Sequence, residues 1–341
     1  MSGKLRLGKT KDSRTRKQSK GIVDANTLVL QKQLLSEQKE FLDYLLIKGY
    51  STSTIKSYIR DVAHFTDWSG KENIPIESVS YTDILAYIQS KRKQVIQRTI
   101  SMYINSIKHY YNYLNLTGKV SENPTTQIEI KGIKRKILYH TLNKQELESL
   151  YNNFELPKED DLNKNQNWFK SSVLVSKRNK VIVGLLVYQG LNTSDISNLM
   201  LQDIKLRDGK VYIAGTRRSN ERELNLEAHQ MLDLMEYTLQ TRNELLKLTG
   251  KESNHLFVST GDGTKFTNMM QKLVMKLNKL NSKLTSIQQL RTSVITQWLK
   301  LYNLRQAQYM AGHRYVSSTE SYLINDVEDL QDDITKYHPT N

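Results

Sequence analysis

The chain has 341 residues, enough for two domains of ordinary size, and its 38% hydrophobic and 25% charged residues describe a rather polar, soluble globular protein. It contains no cysteine, which excludes a disulfide framework, a cysteine metal site and thiol catalysis, and no apolar run approaches the length of a membrane span. Fifty Lys and Arg against thirty-five Asp and Glu leave a net charge of +15, and basic charge spread over both halves of such a chain points to a polyanionic partner, of which nucleic acid is the commonest.

Residues 1–28 carry eight Lys or Arg before position 21 against one Asp and lack an apolar core, so they read as a basic disordered arm and not as a secretory signal. Such an arm can lie along a DNA backbone or in a minor groove, or can simply add solubility. From 29 to 117 the apolar residues recur at helical spacing. Leu34, Leu35, Phe41, Leu42, Leu45 and Leu46 form the first set, ended by Gly49. Ser51-Thr52-Ser53 offers an N-cap for a second helix that carries Ile55, Ile59, Val62 and Phe65 on one face. A third helix starts near Ser80–Asp83, and a fourth runs from Gln97 to Leu116. Four helices with short loops predict a compact helical bundle. Lys91, Arg92, Lys93 and Arg98 load its later helices with positive charge and are expected to face DNA, although such a row is often only a solvated surface.

Residues 118–137 mix Gly, Pro and a basic cluster that includes Arg135, and read as an interdomain linker. The second domain, 138–341, opens with a Thr or Asn cap ahead of a helix at Thr141–Glu146. A polar insertion follows, and then an apolar helix from about Ser171 to Tyr188, stopped by Gln189-Gly190. The stretch KLRDGKVYIAGTRRSNERELNL alternates in the manner of strands, with a turn at Asp208-Gly209 and another near Ser219-Asn220. Helices resume at Glu227–Thr249. The fold class is therefore mainly α, with one small antiparallel β-sheet.

The chemistry sits between Gln288 and Tyr322. Arg291, His313 and Tyr322 are an arginine, a histidine after Gly312, and a late tyrosine in Thr319-x-x-Tyr322. A phenol oxygen can attack a phosphodiester if a cation and a histidine hold the phosphate. Taken singly, each has a plainer reading: Tyr322 is one of nineteen tyrosines, His313 could be a helix cap or core contact, and Arg291 could be a buried structural ion pair.

Two boxes of this sequence resemble the tyrosine recombinase, or phage integrase, family with its Xer-type members. A-G-H-R-Y-V-S-S-T-E-S-Y (311–322) is similar to the family's L-G-H-x-x-x-x-x-T-x-x-Y, and Y-Q-G-L-N-T-S-D-I-S-N-L (188–199) follows its T-G-L-R-x-x-E-L-x-x-L. The resemblance implies a helical core-binding, SAM-like DNA-binding domain and an α-rich catalytic domain of the DNA breaking-rejoining type. It further implies cleavage through a 3′-phosphotyrosine with release of a 5′-hydroxyl. No metal and no cofactor would be needed, because the phosphotyrosine stores the bond energy. By the same resemblance the partners would be double-stranded DNA, further copies in a tetramer on DNA and, in one version, a partner recombinase, with no membrane and a cytoplasmic, nucleoid-associated location. Tyr322 falls on the nucleophile, Arg291 on the second of two family arginines, and His313 on the second histidine.

Three positions depart from that pattern. The first arginine is Asn192, the histidine three residues before Arg291 is Gln288, and the hairpin lysine is replaced near Thr216, Arg217 and Arg218. Asn cannot neutralise the transition-state charge as a bidentate guanidinium does, and losing one such donor costs about 10²–10³ in rate. Losing a general acid costs about 10²–10⁴ more, and a guanidinium cannot replace it because it gives up no proton near neutral pH. Gln288 can still donate a hydrogen bond. Two readings follow: a slow or partner-dependent site-specific recombinase of a mobile element, or a DNA-binding accessory protein that has lost strand cleavage. The acidic stretch after Tyr322, with Asp326, Glu328, Asp329, Asp332 and Asp333, is expected to dock on a neighbouring basic protomer.

Overall fold

Apolar spacing resolves the first half of the chain into α1 (Ser36–Ile47), α2 (Thr52–Lys71), α3 (Tyr81–Arg92) and α4 (Gln97–Leu116). The structure is a computed structural model that describes residues 36–133, 140–157, 167–260 and 266–323. The basic arm (1–28), Arg135 with the end of the basic cluster, most of the polar insertion and the acidic stretch after Leu323 lie outside the described residues. The chain divides into two units between Lys136 and Ile137.

In the first unit the helix starts follow local hydrogen-bonding chemistry. Ser51 caps α2 by accepting from Thr54 N–H, and Ser80 and Asp83 form a reciprocal capping box at α3. The faces expected to be apolar are the buried ones: Phe41, Leu45, Ile59, Phe65, Ile84 and Ile107 all lie in one core. One polar bond crosses it, from Ser106 Oγ to Asp61 Oδ2 at 2.9 Å, joining α4 to α2. Residues 118–133, expected to be linker, are laid along this unit, with Val120, Ile128 and Ile130 packed against its core. Their alternate apolar residues give the segment a face to bury.

The second unit is built around α6 (Asn167–Val187), which follows α5 (Lys144–Asn152). Val181, Ile182, Val183, Leu185, Leu186 and Val187 are buried in succession, so the end of α6 is surrounded and not amphipathic. α7 (Thr193–Asn198) comes next and leads into an antiparallel sheet of β1 (Ile204–Lys205), β2 (Lys210–Ile213) and β3 (Arg222–Asn225), in that order. In register, Val211 faces Leu224 and Ile213 faces Arg222. The Asp208-Gly209 turn stands where expected, but the second turn is centred on Arg217-Arg218 and not on Ser219-Asn220, because Thr216 and Ser219 close it with their own backbone and hydroxyl groups. α8 (Ala228–Glu236) continues through a π-turn (Tyr237–Thr241) into α9 (Arg242–Thr249). α10 (Phe266–Leu280), α11 (Ile287–Leu301), α12 (Leu304–Ala311) and α13 (Val316–Glu320) complete the described residues.

Ile107 is fully buried in the first unit, so Ile107→Ala is expected to lower that unit's unfolding free energy by about 2–5 kcal/mol. In urea unfolding followed through Trp68, the transition should move to lower denaturant while the one followed through Trp298 stays in place; both moving together would contradict a division into two units.

Candidate active site

The start of α7 supplies the acid of the site. Asn192 Oδ1 accepts from Asp195 N–H at 2.9 Å, and Asp195 Oδ2 accepts from Asn192 N–H at 3.2 Å, a reciprocal capping box. Asn192 thus spends its side-chain oxygen on the helix start. The same Asp195 Oδ2 accepts from Arg222 Nη2 at 2.8 Å and lies 3.8 Å from Arg291 Nη1. The three side chains are 4%, 0% and 7% exposed, in that order.

Arg291 comes from α11 and reaches two helix ends. Nη1 donates to Gly190 O and Nη2 to Ala311 O, both at 2.6 Å. Ala311 O lies in the last turn of α12 and Gly190 O just past the end of α6, where the helix dipole is negative, so the cation complements both. Gly190 (φ +56°) and Gly312 (φ +67°) take the left-handed conformation that ends each helix, with Val294 against the first and Arg222 against the second. Burial is the main influence on the guanidinium and lowers its pKa, while Asp195 and a side-chain hydrogen bond with Tyr322 oppose the shift. The plainer reading of Arg291 as a buried ion pair therefore holds alongside its contact with the tyrosine.

His313 leaves the Gly312 turn and is fixed from two sides. Its Nδ1 is 2.9 Å from Thr319 Oγ1 on α13, a fully buried threonine, and its ring stacks on Tyr322 at 5.5 Å and 19°. Burial, and then the charges of Arg291 and Arg222, push the imidazole pKa down to about 4, so the ring is neutral near pH 7. Tyr322 is partly buried, packed against the core of the second unit, and its N–H donates to Thr319 O at 3.0 Å.

The β2–β3 turn is fastened to this turn. Asn220 N–H donates to Gly312 O at 2.9 Å, and Arg314 Nη2 to Thr216 O at 3.4 Å. Thr216, Arg217 and Arg218 are exposed there. Gln288 is exposed on α11; its neighbour Gln289 is the buried one, donating to His140 O and Lys283 O. The fold thus gathers Tyr322, Arg291 and His313, with Asn192 beside them in the capping box of Asp195. Lys91, Arg92, Lys93 and Arg98 lie in the first unit at the α3–α4 junction, with Lys91 Nζ over the Tyr87 ring at 5.4 Å.

Asp195 and Arg222 are not among the residues expected from the sequence, and Thr319 is expected only as part of the tyrosine box and not as a partner of His313. The signals were there. An Asn followed three residues later by Asp is a capping box, and Arg222 shares the inward register of β3 with Leu224. Among the described residues, no group of three or more His, Asp or Glu is placed to hold a metal ion, and no helix is long and apolar enough to cross a membrane.

The fold and this gathering of arginine, histidine and tyrosine define the class. XerH site-specific recombinase in a post-cleavage complex with palindromic difH shares the fold at a TM-score of 0.64, with 17% identity over 91% of this chain and 87% of that one. The pre-cleavage XerH complex does so at 0.61, with 17% identity over 87% of this chain and 83% of that one. Tyrosine recombinase XerC of Oceanobacillus iheyensis is 25% identical over 88% of this chain and 94% of its own length, and XerD of Shewanella oneidensis is 27% identical over 88% and 95%. The phage integrase family matches residues 140–328, and the phage integrase N-terminal SAM-like domain matches residues 39–118. The chain belongs to the phage integrase family, the site-specific tyrosine recombinases.

Because His313 protonates near 4 when folded and near the ordinary histidine value of about 6.5 when unfolded, the unfolded chain binds more protons between those limits. Stability should therefore rise with pH through that window, and His313→Gln should flatten the rise. Urea midpoints from pH 4.5 to 7 measure it; an unchanged slope in the variant would contradict the assignment.

Proposed function

We propose that the protein is a site-specific recombinase of a mobile element that breaks and rejoins double-stranded DNA through Tyr322, slowly or with help from a partner recombinase. The observation that carries this reading is the convergence on Tyr322 of the His313 ring and the Arg291 guanidinium. The related XerH structures support it, since they are complexes with a difH substrate before and after cleavage.

In the proposed step the Tyr322 oxygen attacks the scissile phosphorus. An O–P bond to tyrosine forms on the 3′ side, the P–O5′ bond breaks, the phenol gives up one proton and the 5′ oxygen takes one up. Arg291 and His313 hold the non-bridging oxygens, His313 as a neutral hydrogen-bonding group at physiological pH. Asn192 is neutral where the family pattern carries an arginine, and the hairpin offers Thr216, Arg217 and Arg218 in place of a lysine acid. None of these gives up a proton readily near neutral pH, so the leaving oxygen draws on water or on a partner. That supports slow or partner-dependent turnover. The half-buried Lys91 and the exposed Arg92, Lys93, Arg98 and Arg218 fit the DNA backbone, and assembly as a tetramer on DNA, in the cytoplasm and about the nucleoid, is part of the same reading.

The test is a nicked suicide duplex of the element's own site. A covalent adduct is expected from the wild type and none from Tyr322→Phe. Asn192→Arg should raise adduct formation by about 10²-fold, against about 1 kcal/mol of lost helix cap. DNA binding without an adduct, even with a fully equipped recombinase added, would favour an accessory DNA-binding protein instead.

A further inference from the structure

The site holds more positive charge than its own groups cancel. Arg222 and Arg291 are both buried, and the carboxylate they approach is the same one, Asp195. Arg222 uses only Nη2; its Nε and Nη1 are buried with no hydrogen-bond partner. Idle donors on a buried cation are costly, and an anion close by recovers part of that cost. Arg222 also lies directly under the turn that delivers His313: a Cβ on Gly312 would overlap its Nη1 and stand 3.0 Å from its Cζ.

Resting on the recombinase reading above, we propose that Arg222 is the second cation of the phosphate site, acting from β3 in place of the arginine that Asn192 displaces. It is a positioning residue. Its side chain is fully buried, so it touches neither the phosphate nor the tyrosine. Its charge acts through the low-dielectric interior and through Asp195 and Gly312, the groups that fix α7 and the His313 turn. The charged and titratable groups that face His313 are Arg291 from α11, Arg222 from β3 and Tyr322, and the two arginines both resist its protonation. A bound phosphate offsets that field.

The experiment uses the full chain, inorganic phosphate as the probe, and the His313 ring proton resonance as the readout, with chloride holding ionic strength constant. Arg222→Lys keeps a charge and a donor for Asp195, whereas Arg222→Gln keeps only a donor. A merely structural role would lower the stability of Arg222→Gln, which loses the buried ion pair, without changing the phosphate affinity of the folded protein. The expected result is binding by the wild type, a loss of no more than about threefold in Arg222→Lys, and a loss of about tenfold or more in Arg222→Gln, on the scale of one buried charge acting without direct contact. Equal affinities in the two variants, or no phosphate response in the wild type, would overturn the proposal. If Arg222→Gln does not fold, the wild type decides: bound phosphate must raise the His313 titration by about one pH unit, and an unmoved titration overturns the proposal. Phosphate binding is read here without strand cleavage. A protein that binds phosphate but forms no tyrosyl adduct would end the recombinase reading alone, and one that forms the adduct with the two variants alike would end this inference alone.

Discussion

One carboxylate oxygen, Asp195 Oδ2, accepts from Asn192 N–H at the start of α7 and from Arg222 Nη2 on β3, and lies 3.8 Å from Arg291 Nη1 on α11. Through Arg291 the connection runs on to Gly190 O and Ala311 O, at the ends of α6 and α12. Elements far apart in sequence are therefore held by a polar cluster a few ångströms across. Burying two guanidiniums costs several kcal/mol in desolvation, which the shared carboxylate and the helix-end carbonyls offset. The cluster is better understood as fixing geometry than as adding stability. Removing the carboxylate would leave two buried cations facing each other, the arrangement in which breaking a buried pair is most destabilising.

On the proposed function, the same cluster sets the electrostatics that a phosphate would meet. Positive charge at Arg291 and Arg222 exceeds the negative charge at Asp195, and the neutral His313 ring stacks on Tyr322 beside that field. What is thin is acid chemistry. Asn192 closes a helix cap, Gln288 is exposed, and the β2–β3 turn presents Thr216, Arg217 and Arg218. On the proposed function, that balance suits a site that binds a phosphodiester better than it protonates a leaving group.

Much of this was legible in the sequence, for identifiable reasons. The helix Gln97–Leu116 was readable end to end, because Ile100, Ile104, Ile107, Tyr111 and Leu114 repeat at helical spacing and lie buried. Ser80 and Asn143 were readable as caps because a capping side chain acts on its own neighbours. The second hairpin turn was misplaced by two residues, since Thr216 and Ser219 compete with Ser219-Asn220 as turn formers and only the pairing of β2 with β3 decides. In the site, Tyr322, His313 and Arg291 stood out through their spacing. Arg222 did not, because a charged residue in a strand reads as outward-facing until a buried acid is found opposite it. That acid, Asp195, lies twenty-seven residues earlier in the chain. The role of 118–133 was hidden for a similar reason: Ile128 and Ile130 pack on a core assembled from residues far upstream.

The central claim is that this cluster serves a covalent bond between DNA and one particular phenol among the nineteen tyrosines of the chain. Peptide mapping by mass spectrometry of the protein trapped on its nicked site tests it most directly. The account predicts a nucleotide mass on the peptide that contains Tyr322, at that residue. Attachment at another tyrosine, such as the exposed Tyr315 seven residues earlier, or no attachment under conditions where the DNA is bound, would contradict it.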